Sequence, residues 1–214
     1  MRAIIFVNGQ FQDREIARSR LQNDDYIIAV NGGTHHALSI GIVPHAIIGD
    51  LDSLDFQEET MIRTASARIL RFPSRKDETD LELALHHAVE QQADSILLFA
   101  ALGGRLDQTL GNLMLLTLPC LQGIDAKIQE GAQTAFLIRD RAVIHGRPGD
   151  TVSILPVGGD AVGVSNEGLE WPLRRETLPS GTTRGISNVL TASEGVISVE
   201  RGMLLCVVTH YEKA

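Results

Sequence analysis

Residues 79–101 read TDLELALHHAVEQQADSILLFAA, and the fold turns on how they are read. Leu81, Ala84, Leu85, Ala88 and Val89 recur at i, i+3, i+4, i+7 and i+8, the stripe of an amphipathic helix. Thr79-Asp80-Leu81-Glu82 has the form of a capping box, which starts that helix at Thr79. His86 and His87 are adjacent on it, diverge, and are read as facing solvent. Residues 95–101 (SILLFAA) then form a short, almost wholly apolar run, the mark of a strand buried on both faces. A helix feeding such a strand is the repeating unit of a parallel sheet, since parallel strands need crossover helices.

The same alternation extends outward. Apolar β-rich runs occupy residues 2–8 (RAIIFVN), 26–31 (YIIAVN), 45–49 (HAIIG) and 67–72 (ARILRF). Helical character falls between them at 14–22, 34–41 and 56–66, and again over 108–123 (QTLGNLMLLTLPCLQG). After about residue 125 the texture changes. KIQEG, TAFLIRD, AVIHG, TVSILPV, AVGVSN, GVISVE and MLLCVVTH are short and β-rich, with turn signals at GRPGD, VGGD, SEGV and ERGM. The chain therefore divides into an α/β domain over 1–124, a parallel sheet with helices on both faces, and an all-β sandwich over 125–214.

Composition narrows the function. The 214 residues are 43% hydrophobic, with a net charge of −8. That balance lacks the basic stripe of a nucleic-acid-binding surface. No run approaches the ~20 apolar residues of a membrane span, and residues 1–10 make no signal peptide. Cys120 and Cys206 each sit alone in apolar surroundings and read as core residues, not a disulfide or metal pair. A cytoplasmic protein follows as the expectation.

Ligands of open parallel sheets bind beyond the carboxyl ends of the strands. Those ends are rich in glycine, acid and base: Asn31-Gly32-Gly33, Gly49-Asp50-Leu51-Asp52, Lys76-Asp77-Glu78-Thr79-Asp80 and Gly103-Gly104-Arg105-Leu106-Asp107. Asp50 and Asp52 lie two apart, so in extended chain they point to one side. Hard oxygen donors without cysteine or histidine suit Mg²⁺ bound together with substrate phosphates. Lys76, Arg105, the backbones of the glycine pairs and the start of the 79–92 helix would hold phosphate oxygens. Taken singly, Asp77 and Asp80 could equally complement a helix N-terminus. Neither a dinucleotide-binding glycine fingerprint nor a P-loop is present. Trp171, in GLEWPL, is read as sandwich packing rather than as a ligand contact.

The segments NGGTHHALSIGIVPHAIIGDLDS, RKDETDLELAL, GGRLDQTLGNLMLL and TRGISN, in that order, resemble the thiamine pyrophosphokinase family. The resemblance spans essentially the whole chain. It implies a nucleotide-binding α/β domain, a β-sandwich for thiamine and dimerisation, and a homodimer with active sites at the subunit interface. The implied reaction moves the diphosphoryl unit of ATP onto the hydroxyl of thiamine, giving thiamine diphosphate and AMP. By position it assigns Asp50, Asp52 and Asp80 to Mg²⁺, with Asp50, Asp52, Asp77 and Asp80 catalytic. Asn31, Gly32, Gly33, Lys76, Gly104, Arg105 and Asp107 fall to ATP, and Asp80, Ser187 and Asn188 to thiamine. The family usually carries aspartate where Asn31 stands, histidine where Gln108 stands, and, in bacterial members, glutamate where Val189 stands. A related pyrophosphokinase acting on another heterocyclic alcohol, such as a hydroxymethylpterin, is the alternative. A non-catalytic nucleotide- or thiamine-binding homologue is the third reading.

Overall fold

The computed structural model describes residues 1–12, 14–49, 60, 62, 67–72 and 77–211. The chain forms two compact units, Met1–Gly131 and Ala132–Ala214.

In the first unit the described strands are β1 (Arg2–Phe6), β2 (Tyr26–Val30), β3 (Ala46–Ile48), β4 (Arg68–Leu70), β5 (Ser95–Phe99) and β6 (Asp125–Glu130). They pair in parallel, in the order β4-β3-β2-β1-β5-β6. The described helices are α1 (Arg14–Arg20), α2 (Gly33–Ser39), α3 (Asp80–Glu90) and α4 (Leu106–Leu115). In β1, β2 and β3 every residue but Arg2 and Tyr26 is buried. Because neighbours along a strand point to opposite faces, such burial requires cover on both sides. Tyr26 accordingly meets His87 of α3, while adjacent Ile27 packs with Ala17 of α1 and Ala37 of α2. Ile62, from the helix expected over 56–66, packs with Ala29 and Ile47; apart from Thr60, the rest of that stretch lies outside the described residues.

Three local expectations change. His87 is only 6% exposed and shares a 3.1 Å hydrogen bond with the Tyr26 hydroxyl, so it does not face solvent. The helix expected over 108–123 instead spans Leu106–Leu115, and a short 3-10 turn follows at Pro119–Leu121. Proline lacks the N–H a helix needs and drives its predecessor out of the helical region; Leu118 sits at ψ 133°. Finally, β6 pairs parallel with β5, which keeps Asp125–Glu130 in the first unit.

The second unit contains β7 (Gln133–Ile138), β8 (Arg141–His145), β9 (Thr151–Glu167), β10 (Glu176–Leu178), β11 (Asn188–Val189), β12 (Glu194–Ser198) and β13 (Arg201–Thr209). The pairings among them are antiparallel. TVSILPV and AVGVSN are one 17-residue strand, not two strands joined by a turn at VGGD. Gly158 and Gly159 take φ of 74° and 141°, so the chain kinks there without leaving the sheet. Beyond the kink β9 pairs with β10, β12 and the first residue of β13; before it, with β11 and the rest of β13. Both stretches close on one apolar cluster that includes Ile144, Ile154, Val164, Ile197 and Leu204. Cys206 is buried in that cluster, and burial pushes its thiol up to about 12. No described helix is long and apolar enough to cross a membrane.

Candidate functional site

Chain order runs from β1 through β2 and β3 to β4 on one side, then returns to place β5 on β1's other flank. The connections after β1 and β5 therefore diverge, and a crevice opens beyond their carboxyl ends. A cleft of about 650 Å³ occupies that position. Its walls include Asn8 and Gly9 after β1, Asn31 after β2, Thr79 and Asp80 at the start of α3, and Gly104 and Arg105 after β5.

The β1 and β5 exits are tied together past their strands, with Gly9 N–H donating to Ala100 O at 2.7 Å and Gln10 N–H to Leu102 O at 2.9 Å. Asn112, buried on α4, donates to Ala101 O at 2.6 Å and fixes the same loop from behind. Across the cleft, Thr79 caps α3 by accepting from Glu82 N–H at 3.2 Å, the forward half of the expected capping box. The first turn of α3 thus presents its N–H groups and positive dipole end to the cleft.

Asn31 closes the corner between these walls. It sits at φ 47°, a left-handed conformation asparagine tolerates better than most residues. Its amide Nδ2 donates to Asp80 Oδ2 at 2.5 Å. Its Oδ1 is buried with no hydrogen-bond partner among the described residues, as is Thr34 Oγ1 three residues on. Gly49, the last described residue after β3, lies so close that an added Cβ would stand 1.7 Å from Asn31 Oδ1. Gly33 is equally constrained: a Cβ there would lie 2.0 Å from the Phe6 carbonyl. Its bare backbone lets α2 pack onto β1, and it is not among the residues lining the cleft.

Arg105 is pinned by Asp107, with Nε to Oδ1 at 3.1 Å and Nη2 to Oδ2 at 2.5 Å. That hydrogen-bonded pairing raises the Arg105 pKa and lowers that of Asp107. Arg105 faces the cleft, whereas Asp107 is its exposed counter-ion. Asp77 is exposed just before α3. Asp50, Asp52 and Lys76 lie outside the described residues. Among the described residues no three His, Cys, Asp or Glu side chains gather to hold a metal ion.

The second unit carries its own pocket, of about 470 Å³, lined by Trp171, Arg184, Ile186, Ser187 and Asn188 above the apolar floor of Val152 and Ile154. Trp171 is 55% exposed at its edge, so it is no part of the sandwich interior. Asn188 is buried, with its amide engaged by the Trp171 and Val189 backbones. Ser187 stands at φ 62° and donates its N–H to Ser153 Oγ at 3.0 Å. Sequence reasoning missed the pocket-lining position of Trp171 and the supporting roles of Asn112 and of Asn166, whose Nδ2 donates to Trp171 O at 3.1 Å. A lone tryptophan followed by proline was the available signal for the first; the other two leave no local pattern.

Comparison with known proteins bears on both pockets. A family model described as "Thiamin pyrophosphokinase, catalytic domain" matches residues 17–128. A second, "Thiamin pyrophosphokinase, vitamin B1 binding domain", matches residues 140–204. A thiamine pyrophosphokinase of Bacillus subtilis is 32% identical over 190 residues, 84% of this chain and 85% of that protein. The crystal structure of thiamine pyrophosphokinase from Bacillus subtilis superposes with a TM-score of 0.88 at 28% identity, covering 99% of this chain and 100% of that one. That of thiamin pyrophosphokinase from Geobacillus thermodenitrificans gives 0.86 at 27% identity, covering 100% and 99%.

Proposed function

The chain belongs to the thiamin pyrophosphokinase family, and from that premise we propose that it is an enzyme transferring the diphosphoryl group of ATP to the hydroxyl of thiamine, releasing AMP. The observation that carries the reading is the cleft at the strand-order reversal, where a helix N-terminus, an arginine and a carboxylate converge. Triphosphate suits the α3 N-terminus and Arg105, with Lys76 adding charge from outside the described residues. Asn31 and Gly104 complete the ATP side, with Asp107 holding Arg105 in place and Gly32 and Gly33 acting from behind the cleft wall, where their bare backbones pack against Asn8 and Phe6.

Asp80 and Asn31 Oδ1, which has no partner among the described residues, form an oxygen-rich corner of the kind a hard divalent cation takes. Asp50, Asp52 and Asp80 would hold Mg²⁺, whose charge would neutralise phosphate oxygens. Phosphoryl-type transfer requires in-line positioning and charge compensation rather than covalent help. No enzyme-bound intermediate is therefore invoked. Asp80 or Asp77 receives the acceptor hydroxyl's proton as the new P–O bond forms.

Thiamine fits the second unit's pocket, within the vitamin B1 binding match. The exposed Trp171 face suits its cationic thiazolium or its pyrimidine ring, and Ser187 lies beside it. A homodimer with active sites at the subunit interface accompanies this reading. Leu106, Leu110 and Met114, exposed by 73, 52 and 45% at i, i+4 and i+8 of α4, offer an apolar stripe that a second copy would cover. Cytoplasmic residence, with neither nucleic acid nor membrane as partner, completes the proposal.

Incubation of the purified protein with ATP, Mg²⁺ and thiamine should yield AMP and thiamine diphosphate in equal amounts. AMP released only with a pterin alcohol would replace the acceptor, and nucleotide binding without any AMP would replace catalysis.

A further inference from the structure

The Trp171 carbonyl accepts two side-chain hydrogen bonds, from Asn188 Nδ2 at 2.7 Å and from Asn166 Nδ2 at 3.1 Å. The Trp171 N–H donates to Asn188 Oδ1 at 3.0 Å. Both polar groups of one peptide residue are thus held by side chains that are each only 8% exposed. Asn166 fixes the following residues too: its Oδ1 accepts from Leu173 N–H at 3.3 Å, and its own N–H donates to Leu173 O at 3.1 Å. Leu169 and Leu173 anchor the loop in the apolar cluster on either side.

Between those anchors the indole is left 55% exposed at the pocket rim. Packing does not account for this, because packing would bury the ring. Nor does a solvated loop need two buried amides, which are costly to desolvate unless every donor and acceptor is used. What the arrangement does achieve is a rigid aromatic face, prepared before a ligand arrives, and such preorganisation lowers the entropy lost on binding.

We propose that Asn166 is a positioning residue which, with Asn188, aims the Trp171 indole at the ring system of bound thiamine. The inference rests on the thiamine reading above and goes beyond it by assigning Asn166. Asn166 does not line the pocket and touches no reacting atom; it acts through the Trp171 backbone.

Trp171 is the chain's single tryptophan, so fluorescence excited on the red side of the absorption of the two tyrosines reports on it alone. Asn166→Ala and Asn166→Asp should be compared with the parent as full-length proteins. The aspartate variant is nearly isosteric and keeps the acceptor for Leu173 N–H while losing the donor to Trp171. In both, the anisotropy of free protein should fall and acrylamide quenching should rise. The KM for thiamine should rise about five- to tenfold, the equivalent of one hydrogen bond, with the KM for ATP unmoved. Trp171→Ala should itself raise the thiamine KM, and adding Asn166→Ala to it should change that KM less than twofold.

Unchanged anisotropy together with unchanged thiamine KM in Asn166→Asp would overturn the proposal. So would an equal KM rise from Asn166→Ala with and without the indole, which would mean it does not act through Trp171. A parent protein that makes no AMP with thiamine would overturn the functional reading instead. The anisotropy comparison needs no thiamine and separates the two failures.

Discussion

Asn31, at the end of β2, holds Asp80, in the first turn of α3, through a 2.5 Å hydrogen bond across 49 residues of sequence. One neutral donor thereby compensates a half-buried carboxylate at the point where phosphate is proposed to bind. Asn31→Asp exchanges that donor for a second negative charge, and like charges in such a corner repel. The variant should lose about 1–2 kcal/mol of stability in EDTA, read as a melting temperature lower by roughly 3–8 °C. Millimolar MgCl₂ should restore part of the loss. A melting temperature matching the parent in EDTA would show that the contact carries no weight.

Asp80→Asn tests the same corner from the other side. Removing the charge while keeping the shape should lower kcat by about 100-fold or more, the scale seen when one preorganised electrostatic group is lost. The circular dichroism spectrum should stay that of the parent. Activity within threefold of the parent would leave Asp80 only its charge in the first turn of α3 and its contact with Asn31.

Gly33→Ala tests packing alone. The new methyl would meet the Phe6 carbonyl at 2.0 Å, so α2 must move away from β1. Overpacking of this kind costs about 1–3 kcal/mol, and thermal unfolding should register it whether or not nucleotide is present.

Acidification should weaken the fold in two stages. Burial lowers the His87 pKa, helped by Arg68, so the folded chain holds this ring neutral. Its contribution is complete above ~6.5, the ordinary histidine value, and is lost as pH falls below it. Burial pushes the Asp150 carboxyl up, but His210 and the N–H groups of Arg147 and Tyr211 more than offset this and leave it below its ordinary value. That contribution is complete above ~3.9 and lost as pH falls further. Urea midpoints measured from pH 8 to pH 3 should show both declines. His87→Gln should shrink the first, to which half-buried His36, also lowered by burial, contributes as well, and leave the second.

The α/β unit is legible because its central strands β1, β2 and β3 are buried on both faces and hence read as unbroken apolar runs. The TDLE start of α3 was legible for a local reason, since a cap and its N–H partner are three residues apart. His87 was misread although it follows Ala84 by three residues, at the margin of the apolar stripe; only the sheet decides whether a marginal position is covered. Gly158-Gly159 was read as a turn, because a glycine pair gives the same signal for a turn and for a kink within a strand. The two cases are separated by β13, whose pairing with β9 shifts register between Arg201 and Met203. The Asn31–Asp80 contact and the amide clamp on Trp171 join residues whose meeting depends on the completed fold, so neither leaves a mark in any short window of sequence.

β9 borders four other strands, and its partner β13 begins 34 residues after β9 ends. None of β10, β11, β12 and β13 can detach without stripping one edge of that shared strand, and β7 and β8 are held through β13 and β12. During synthesis one edge of β9 must wait unpaired until β13 has left the ribosome. The second unit should accordingly close late and in one step, and its slowest-exchanging amides should all report a single opening free energy.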